Sequence, residues 1–431
     1  MKRLLISLLL IFPILLQAQQ LFSLKAAIDS TLENAYGIRI AENNVAISKI
    51  NNHPGVAGAL PTVNASITDN QSLTNVNQEL NNGTEITKSN ASGNSLNSSL
   101  AAGILLFNGF KVVATKEKLE QLQKQSEFLL NQEIQNAIAL VMTAYYDVVR
   151  QQEYLKIIRT NLEVSKTRLE WVKQKLAAGM ANEADLLQSQ LDLQAAEQSE
   201  RSQMLVLEQS KTNLQEIMSL RTYQKIEVND TIVVDVGLQL EKVLDGLKQN
   251  PQYLSSGQQI RINEMIVKEV AAQRYPSLRL NTGVNFNRSQ SAAGFTLLNQ
   301  NYGPYAGLSL QLPIYNGNAF KAQKEVAVYN VQNARLQQEN LMNSLKADVI
   351  KTWQGYSANL DQISRQQSSV ELSAKLISIV MERFRLNQAT LLDIKAAQAS
   401  YENSGYQLVN LSFAAKVAEV ELKRLSFQLG N

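Results

Sequence analysis

Leu106-Phe107-Asn108-Gly109-Phe110-Lys111 is the stretch on which the fold of this chain turns. The residues before it alternate, with Leu96, Leu100, Ala102, Ile104 and Leu106 on one side of an extended strand. The residues after it do not. From Lys111 to Ala177 there is no proline and no glycine, and Leu155, Ile158, Leu162, Ser165, Leu169, Val172 and Leu176 recur at spacings of three and four. That is the heptad seam of a coiled coil. One helix over this run would be roughly 100 Å long at about 1.5 Å per residue. A compact domain has no use for such an element, so the chain must span a distance. Asn108-Gly109 marks the change of regime. Asn is a favoured N-cap, and Gly relaxes the backbone at a bend. A hairpin turn is the other common use of Asn-Gly, but here helix follows.

The junction recurs. Ile314-Tyr315-Asn316-Gly317 stands 208 positions beyond Leu106. The same offset places Trp353 on Tyr145, Ala389 on Ala181, Asp393 on Asp185, Gln398 on Gln190 and Leu422 on Leu214 without a gap. Upstream, Leu60-Pro61 answers Tyr275-Pro276 at an offset of 215, so the difference lies in the loops between strands. The first loop, about Asn75 to Gly93, is the longer. Each half reads helix, strand, loop, strand, very long helix, tip, long helix. Repeat 1 is expected over 19–218, with strands about 60–73 and 94–108 and helices about 110–177 and 182–218. A linker follows over 219–237. Repeat 2 is expected over 238–431, with strands about 275–288 and 302–315 and helices about 318–386 and 390–427.

The strand regions are nearly uncharged. From 60 to 107 the only charges are Asp69, Glu79, Glu85 and Lys88, and from 275 to 320 only Arg279 and Arg288. Val63, Ala65 and Ile67 alternate with Asn64, Ser66 and Thr68. Leu278, Leu280, Val284 and Phe286 alternate with Arg279, Asn281, Asn285 and Asn287. Leu308, Leu310, Leu312 and Ile314 alternate with Ser309, Gln311 and Pro313. One apolar face and one uncharged polar face suit a barrel with lipid outside and water inside. A soluble antiparallel sheet packed on a helix fits the strands alone equally well.

The long helices end in matched breaks, Gly179-Met180-Ala181 and Asn387-Gln388-Ala389. Gly and Asn are the residues that most readily take the left-handed conformation ending a helix. Asn182 and Thr390 stand where they can cap the helices that follow. A sharp hairpin is predicted at each tip.

Composition closes off other chemistry. The chain has no cysteine, hence no disulfide framework, thiolate metal site or lipid-bearing N-terminal Cys. His53 is the sole histidine, so no His-based metal site or Ser-His-Asp triad forms within one subunit, and a surface or capping role is expected of it. No catalytic set, cofactor motif or phosphate-binding glycine loop is found. Residues 1–18 read as a signal peptide, with Lys2 and Arg3 before an apolar core at Leu4–Leu16 and cleavage after Ala18. That core is too short to span a bilayer. Its removal takes the 41 basic residues down by two against 38 acidic, a net charge of about +1, which leaves no electrostatic footprint for nucleic acid.

Taken together, the signal peptide, the two repeats, the Leu-Phe-Asn-Gly and Ile-Tyr-Asn-Gly junctions and the tip patterns Asp185-Leu186-Leu187 and Asp393-Ile394 resemble the TolC family of outer-membrane efflux proteins. The likeness covers essentially the whole mature chain. It implies a mainly α fold with a membrane β-barrel. Long coiled-coil hairpins would form an α-barrel tunnel, and each subunit of a homotrimer would give four strands to a shared twelve-stranded barrel. The segment 219–237, with Ile226, Val228, Ile232, Val233 and Val234, resembles the family's equatorial region. Physics agrees on one point: four strands cannot close, and open edges are not viable in lipid.

The resemblance further implies passive conduction of small molecules or exported proteins across the Gram-negative outer membrane. Partners would be a periplasmic adaptor and an inner-membrane transporter of the resistance-nodulation-division, ABC or major-facilitator type. Asp185 and Asp393 would ring the periplasmic aperture, where clustered carboxylates favour cations; the plain alternative is a first-turn aspartate at a helix N-terminus. Gly179, Met180, Ala181, Asn387, Gln388 and Ala389 are the candidates for adaptor docking. Some members carry a basic latch residue just after the tip turn. Here Gln388-Ala389 stand there, which leaves Arg383, Arg385 and Lys395 as candidates. Trp171 and Trp353 are expected to pack between helices. Phe286, Tyr302, Tyr305 and Tyr315 are candidates for interfacial aromatic girdles, with packing in the equatorial region as the other reading of Tyr315. The rival from another class is a secreted coiled-coil scaffold with a β-rich head and no channel.

Overall fold

The computed structural model describes residues 22–293 and 296–429. The expected signal peptide at 1–18 lies outside them. The chain divides into two compact units. One holds the residues up to Ile40, Gln132–Asn250 and those from Ser344 on; the other holds Ala41–Asn131 and Pro251–Asn343.

Two short helices, α1 (Leu24–Asn34) and α2 (Tyr36–Asn51), open the described chain. Ser23 caps α1 through its hydroxyl, which accepts from the Ala26 N–H at 3.2 Å. His53 follows α2, and its Nδ1 accepts from the Gly55 N–H at 3.0 Å, a local turn contact.

Four strands follow the order of the chain in one antiparallel sheet: β1 (Thr62–Glu79), β2 (Glu85–Phe107), β3 (Ser277–Ser291) and β4 (Leu298–Gln311). The first hairpin reaches further than the sequence period suggests. Most of the stretch Asn75–Gly93, expected as loop, is paired strand, with Asn77 opposite Thr87 and only Leu80–Thr84 left to turn. Thr87 Oγ1 donates to Asn77 Oδ1 at 2.9 Å, and the Asn90 N–H donates to Asn75 Oδ1 at 2.8 Å beside a bulge. Val76 and Ile86 stand opposite Lys88 and Gln78, so neither face is continuously apolar and the sequence offers no period to read. β4 is displaced the other way. It ends at Gln311, so Leu312 and Ile314, expected in the strand, lie beyond it. Pro313 has no N–H to give to a ladder.

The helical elements are α3 (Lys111–Ala177), α4 (Glu183–Ile217), α5 (Leu240–Gly246), α6 (Pro251–Ala272), α7 (Ala319–Arg385) and α8 (Leu391–Leu425). α3 and α7 each have 67 residues, and α4 and α8 each have 35. The α3 seam packs inward: Leu155, Ile158, Leu162, Ser165, Leu169 and Val172 are buried and Leu176 is half-buried. Each leucine so covered contributes on the order of 1.5–3 kcal/mol.

In the first unit Val141, Tyr145, Val148, Leu207, Leu214 and Met218 form the main core, joined by Ile226 and Val228 of the linker. The linker is tied to α8 by charge. The Asp235 N–H donates to Glu419 Oε2 at 2.9 Å, and Lys423 Nζ reaches Asp235 Oδ2 at 3.0 Å. In the second unit Lys118 of α3 pairs with Glu269 of α6 at 2.7 Å. Among the described residues no helix is long and apolar enough to cross a membrane.

Candidate functional site

The register sorts the sheet into two chemically different faces. Along one rung after another Leu280 stands beside Ile104 and Leu308, Val284 beside Leu100 and Pro304, and Phe286 beside Ser98 and Tyr302. This apolar face runs over nine residues of β3, Leu278 to Phe286, and nine of β4, Tyr302 to Leu310. Such a run at a tilt of about 45° matches the 9–11 residues of a transmembrane strand. It ends in a polar rung holding Asp69 of β1 and Arg288 of β3, each opposite Leu96 of β2. The other face carries Asn64, Ser66, Asn97, Ser99, Asn281, Asn285, Asn287 and Asn301. These bond to one another: Ser66 and Ser99 hydroxyls lie 2.8 Å apart, and Asn287 Nδ2 donates to Asn301 Oδ1 at 2.9 Å. Among the described residues no strand lies beyond β1 or β4, so both edges keep their backbone groups unpaired.

The aromatics divide between the faces. Phe286 and Tyr302 are cross-strand neighbours on the apolar face. Tyr305 sits on the polar face, its ring over Gly283, where an added Cβ would come within 3.1 Å of it. It therefore does not join Phe286 and Tyr302. Tyr315 lies outside the strands and is exposed.

At each strand-to-helix junction two successive residues are left-handed: Gly109 and Phe110 at φ +69° and +67°, Gly317 and Asn318 at +65° and +64°. Asn108 Oδ1 accepts from the Val112 N–H at 3.3 Å. At both junctions the Asn backbone carbonyl also accepts, Asn108 from the Lys111 N–H and Asn316 from the Ala319 N–H, each at 3.3 Å. Gly109 is held closely, for a Cβ there would lie 2.7 Å from the Ala272 carbonyl oxygen, whereas Gly317 faces open space.

At the tips Gly179 and Asn387 are left-handed, φ +73° and +61°. Each tip closes with a capping box. Asn182 Oδ1 accepts from the Asp185 N–H at 2.8 Å, and Asp185 Oδ2 accepts from the Asn182 N–H at 3.4 Å. Thr390 and Asp393 do the same, with Asp393 Oδ2 accepting from the Thr390 N–H at 2.7 Å and from its hydroxyl at 2.8 Å. The Thr390 N–H and hydroxyl hold the Asp393 carboxyl below its usual value. Both aspartates thus have a local capping job. Gly179, Met180, Asn387 and Gln388 are exposed, while Ala181 and Ala389 are half-buried. The tips touch: Asn387 Nδ2 donates to Met180 Sδ at 3.7 Å.

The three basic residues proposed as latches have separate partners. Arg383 Nη2 donates to the Gln388 carbonyl at 3.0 Å and so braces its own turn. Arg385 pairs with Glu382 on its own helix at 2.6 Å. Lys395 of α8 reaches Asp192 of α4 at 3.0 Å and joins the two hairpins.

Two further links were not singled out from the sequence. Lys175 of α3 donates to the Phe384 carbonyl at the end of α7 and sits over the Phe384 ring. Asp192 also takes Arg168, which is wholly buried, at 2.8 Å. Burial pushes the Asp192 carboxyl up, but hydrogen bonds from Lys395 and Gln188 and the charge of Arg168 outweigh it and leave it below the usual range. Arg168 also donates to Gln398 Oε1 of α8 at 3.3 Å. Below these ties Val172, Trp171, Ile377, Phe384 and Ile394 form a common apolar cluster. Trp353 lies half-buried beside Tyr356, ring centroids 5.5 Å apart.

Comparison with known proteins places this arrangement. Residues 27–219 and 245–426 match the profile of a family described as outer membrane efflux protein. The chain is 20% identical to outer membrane protein TolC of Escherichia coli over 348 residues, 78% of this chain and 69% of that protein. It is 21% identical to outer membrane efflux protein BepC of Brucella suis over 406 residues, 92% of this chain and 80% of that one. Among solved structures, the outer-membrane channel OprN superposes with a TM-score of 0.76 at 15% identity, covering 94% of this chain and 89% of that chain. The Campylobacter jejuni CmeC outer membrane channel superposes with a TM-score of 0.73 at 16% identity, covering 95% and 87%.

Proposed function

The chain belongs to the outer membrane efflux protein family, and on that premise we propose that it forms a homotrimeric channel-tunnel through which cargo from an inner-membrane pump leaves the cell. It is an outer-membrane efflux channel protein by family. The finer reading is ours. Three subunits place their four strands in one twelve-stranded barrel, with the apolar face toward lipid and the Asn/Ser face toward water. Their hairpins make a tunnel in the periplasm. The carrying observation is the two-faced sheet with both edges unpaired. In lipid an unpaired edge is untenable, so the strands must close with copies of themselves.

We assign the exposed tip residues Gly179, Met180, Asn387 and Gln388, with Ala181 and Ala389 behind them, to docking of a periplasmic adaptor. Asp185 and Asp393 form the acidic rim of the periplasmic mouth. Each caps through Oδ2. A ring of such carboxylates favours cations.

Single-channel recording of the detergent-purified protein in a planar bilayer tests the duct. The expected result is a small cation-selective conductance from a trimeric species, altered in size or selectivity by Asp393→Ala. A trimer that conducts identically without Asp393 removes the rim assignment. If neither the protein nor a variant with a loosened tip conducts, the scaffold reading replaces the duct.

A further inference from the structure

The polar face of the sheet carries one charge, and its setting singles it out. Where all four strands pair, the charged residues are Asp69, Arg279 and Arg288. Asp69 and Arg288 share a rung on the apolar side, where they bound the lipid-facing band. Glu79, Glu85 and Lys88 lie further out, toward the turn of the first hairpin. Arg279 alone points the other way. It stands between Leu105 of β2 and Ser309 of β4, near the helix-side end of β3.

Among the described residues Arg279 makes no ion pair and no hydrogen bond, and it is exposed. Its neighbours leave room. A Cβ placed on Gly103 would lie 3.7 Å from Arg279 Nη1, so the guanidinium lies diagonally across the gap that Gly103 leaves in β2. Gly307, in the next rung on the same face, also faces open space. In the adjoining rungs Asn281 Nδ2 donates to Ser309 Oγ at 3.1 Å. A guanidinium keeps its charge at any physiological pH and presents a planar fork suited to carboxylate, phosphate or sulfonate oxygens.

We propose that Arg279 is a selectivity-determining residue of the duct, one of a ring of guanidiniums that binds anionic groups of the cargo where the helical part opens into the barrel. The inference rests on the reading of the sheet as part of a closed barrel with its polar face inward, since symmetry then brings the copies of Arg279 around one lumen. Rings of Arg or Lys favour anions in pores. The field of such a ring fades within a Debye length, about 10 Å at 0.1 M salt, so its effect is strongest at low ionic strength.

The test is block of single-channel current by sodium tripolyphosphate, added at low salt on the side of the strand hairpins. Arg279→Lys, which keeps the charge but not the fork, is expected to block at a concentration between those of wild type and Arg279→Gln. Arg279→Gln is expected to need about tenfold more tripolyphosphate than wild type. Its reversal potential in a KCl gradient should also move toward greater cation selectivity. If Arg279→Gln conducts, but its block and its selectivity match wild type, the assignment of Arg279 is overturned and the duct stands. If every variant is silent, including one with Lys175→Ala to loosen the tip, the duct reading fails and this inference falls with it.

Discussion

Lys175 holds the end of a helix that is not its own: its ammonium donates to the Phe384 carbonyl and lies 3.8 Å from the centroid of the Phe384 ring. α7 ends there, at the negative pole of its dipole, with carbonyls that its own helix cannot satisfy. One cation from α3 covers a carbonyl and a ring face together. Burial draws the Lys175 ammonium below the usual lysine value.

Lys175→Ala should therefore free the tip of α7. A carbonyl cap and a cation–π contact together are worth about 1–1.5 kcal/mol. Amide hydrogen exchange over the last turn of α7 should speed up about tenfold, with little change in the core around Tyr145. In a bilayer the same variant should conduct more than wild type.

Asp192 is the most heavily loaded carboxylate between the hairpins, taking Arg168, Lys395 and Gln188. Asp192→Ala leaves the buried Arg168 guanidinium without its counter-charge, and breaking a buried pair in this way costs about 3–5 kcal/mol. Arg168→Met together with Asp192→Leu should recover most of that loss, because the unpaired charge is gone. Denaturant melts of the two variants beside wild type check both statements.

The Asp393 cap fixes the direction of a pH effect. Its carboxyl is held below the usual 3.8 by the Thr390 N–H and hydroxyl. The opened tip therefore takes up a proton before the capped one does. The contribution of the cap is whole above about pH 4 and fades as the pH falls through the lowered value. The protection factor against hydrogen exchange at the start of α8, taken relative to the intrinsic rate at each pH, should fall on acidification in wild type. In Asp393→Ala it should start low and stay nearly flat.

Gly109 and Gly317 occupy matched junctions but are not equivalent. Both are left-handed, so Ala at either costs about 1–2 kcal/mol in backbone strain. Only at Gly109 does the new Cβ also meet the Ala272 carbonyl and the Tyr275 side chain, at 2.7 and 2.5 Å. Gly109→Ala should therefore lower the yield of folded protein well below that of Gly317→Ala when the two are expressed and extracted side by side.

Much of this could be read in the sequence, and the reasons are specific. The α3 seam was legible because Leu155, Leu162 and Val172 repeat with a period that only a helix produces. The tips were legible because Gly179 and Asn387 are residue types that tolerate a left-handed backbone. The far half of the first hairpin was not, since Asn77 and Thr87 pair on one face while Val76 and Ile86 on the other are matched with Lys88 and Gln78, which breaks any apolar period. Tyr305 could not be assigned a side without the register that sets it over Gly283. Lys175, Arg168 and Asp192 resemble any solvated helix charge until a second hairpin is laid beside the first.

The matched helix lengths constrain how this chain can vary. One residue inserted into α3 would turn everything after it by about 100° and carry the buried seam off its partners. The damage would spread over the rest of the 67 residues, and α7, of the same length, would no longer end level with it. A whole heptad added to both long helices and to the returning α4 and α8 would keep the seam in register. The strand hairpins carry no such bond. β1 and β2 already exceed β3 and β4, at 18 and 23 residues against 15 and 14. Relatives of this protein should therefore differ in length at the outer turns by any number of residues, and along the helices in sevens.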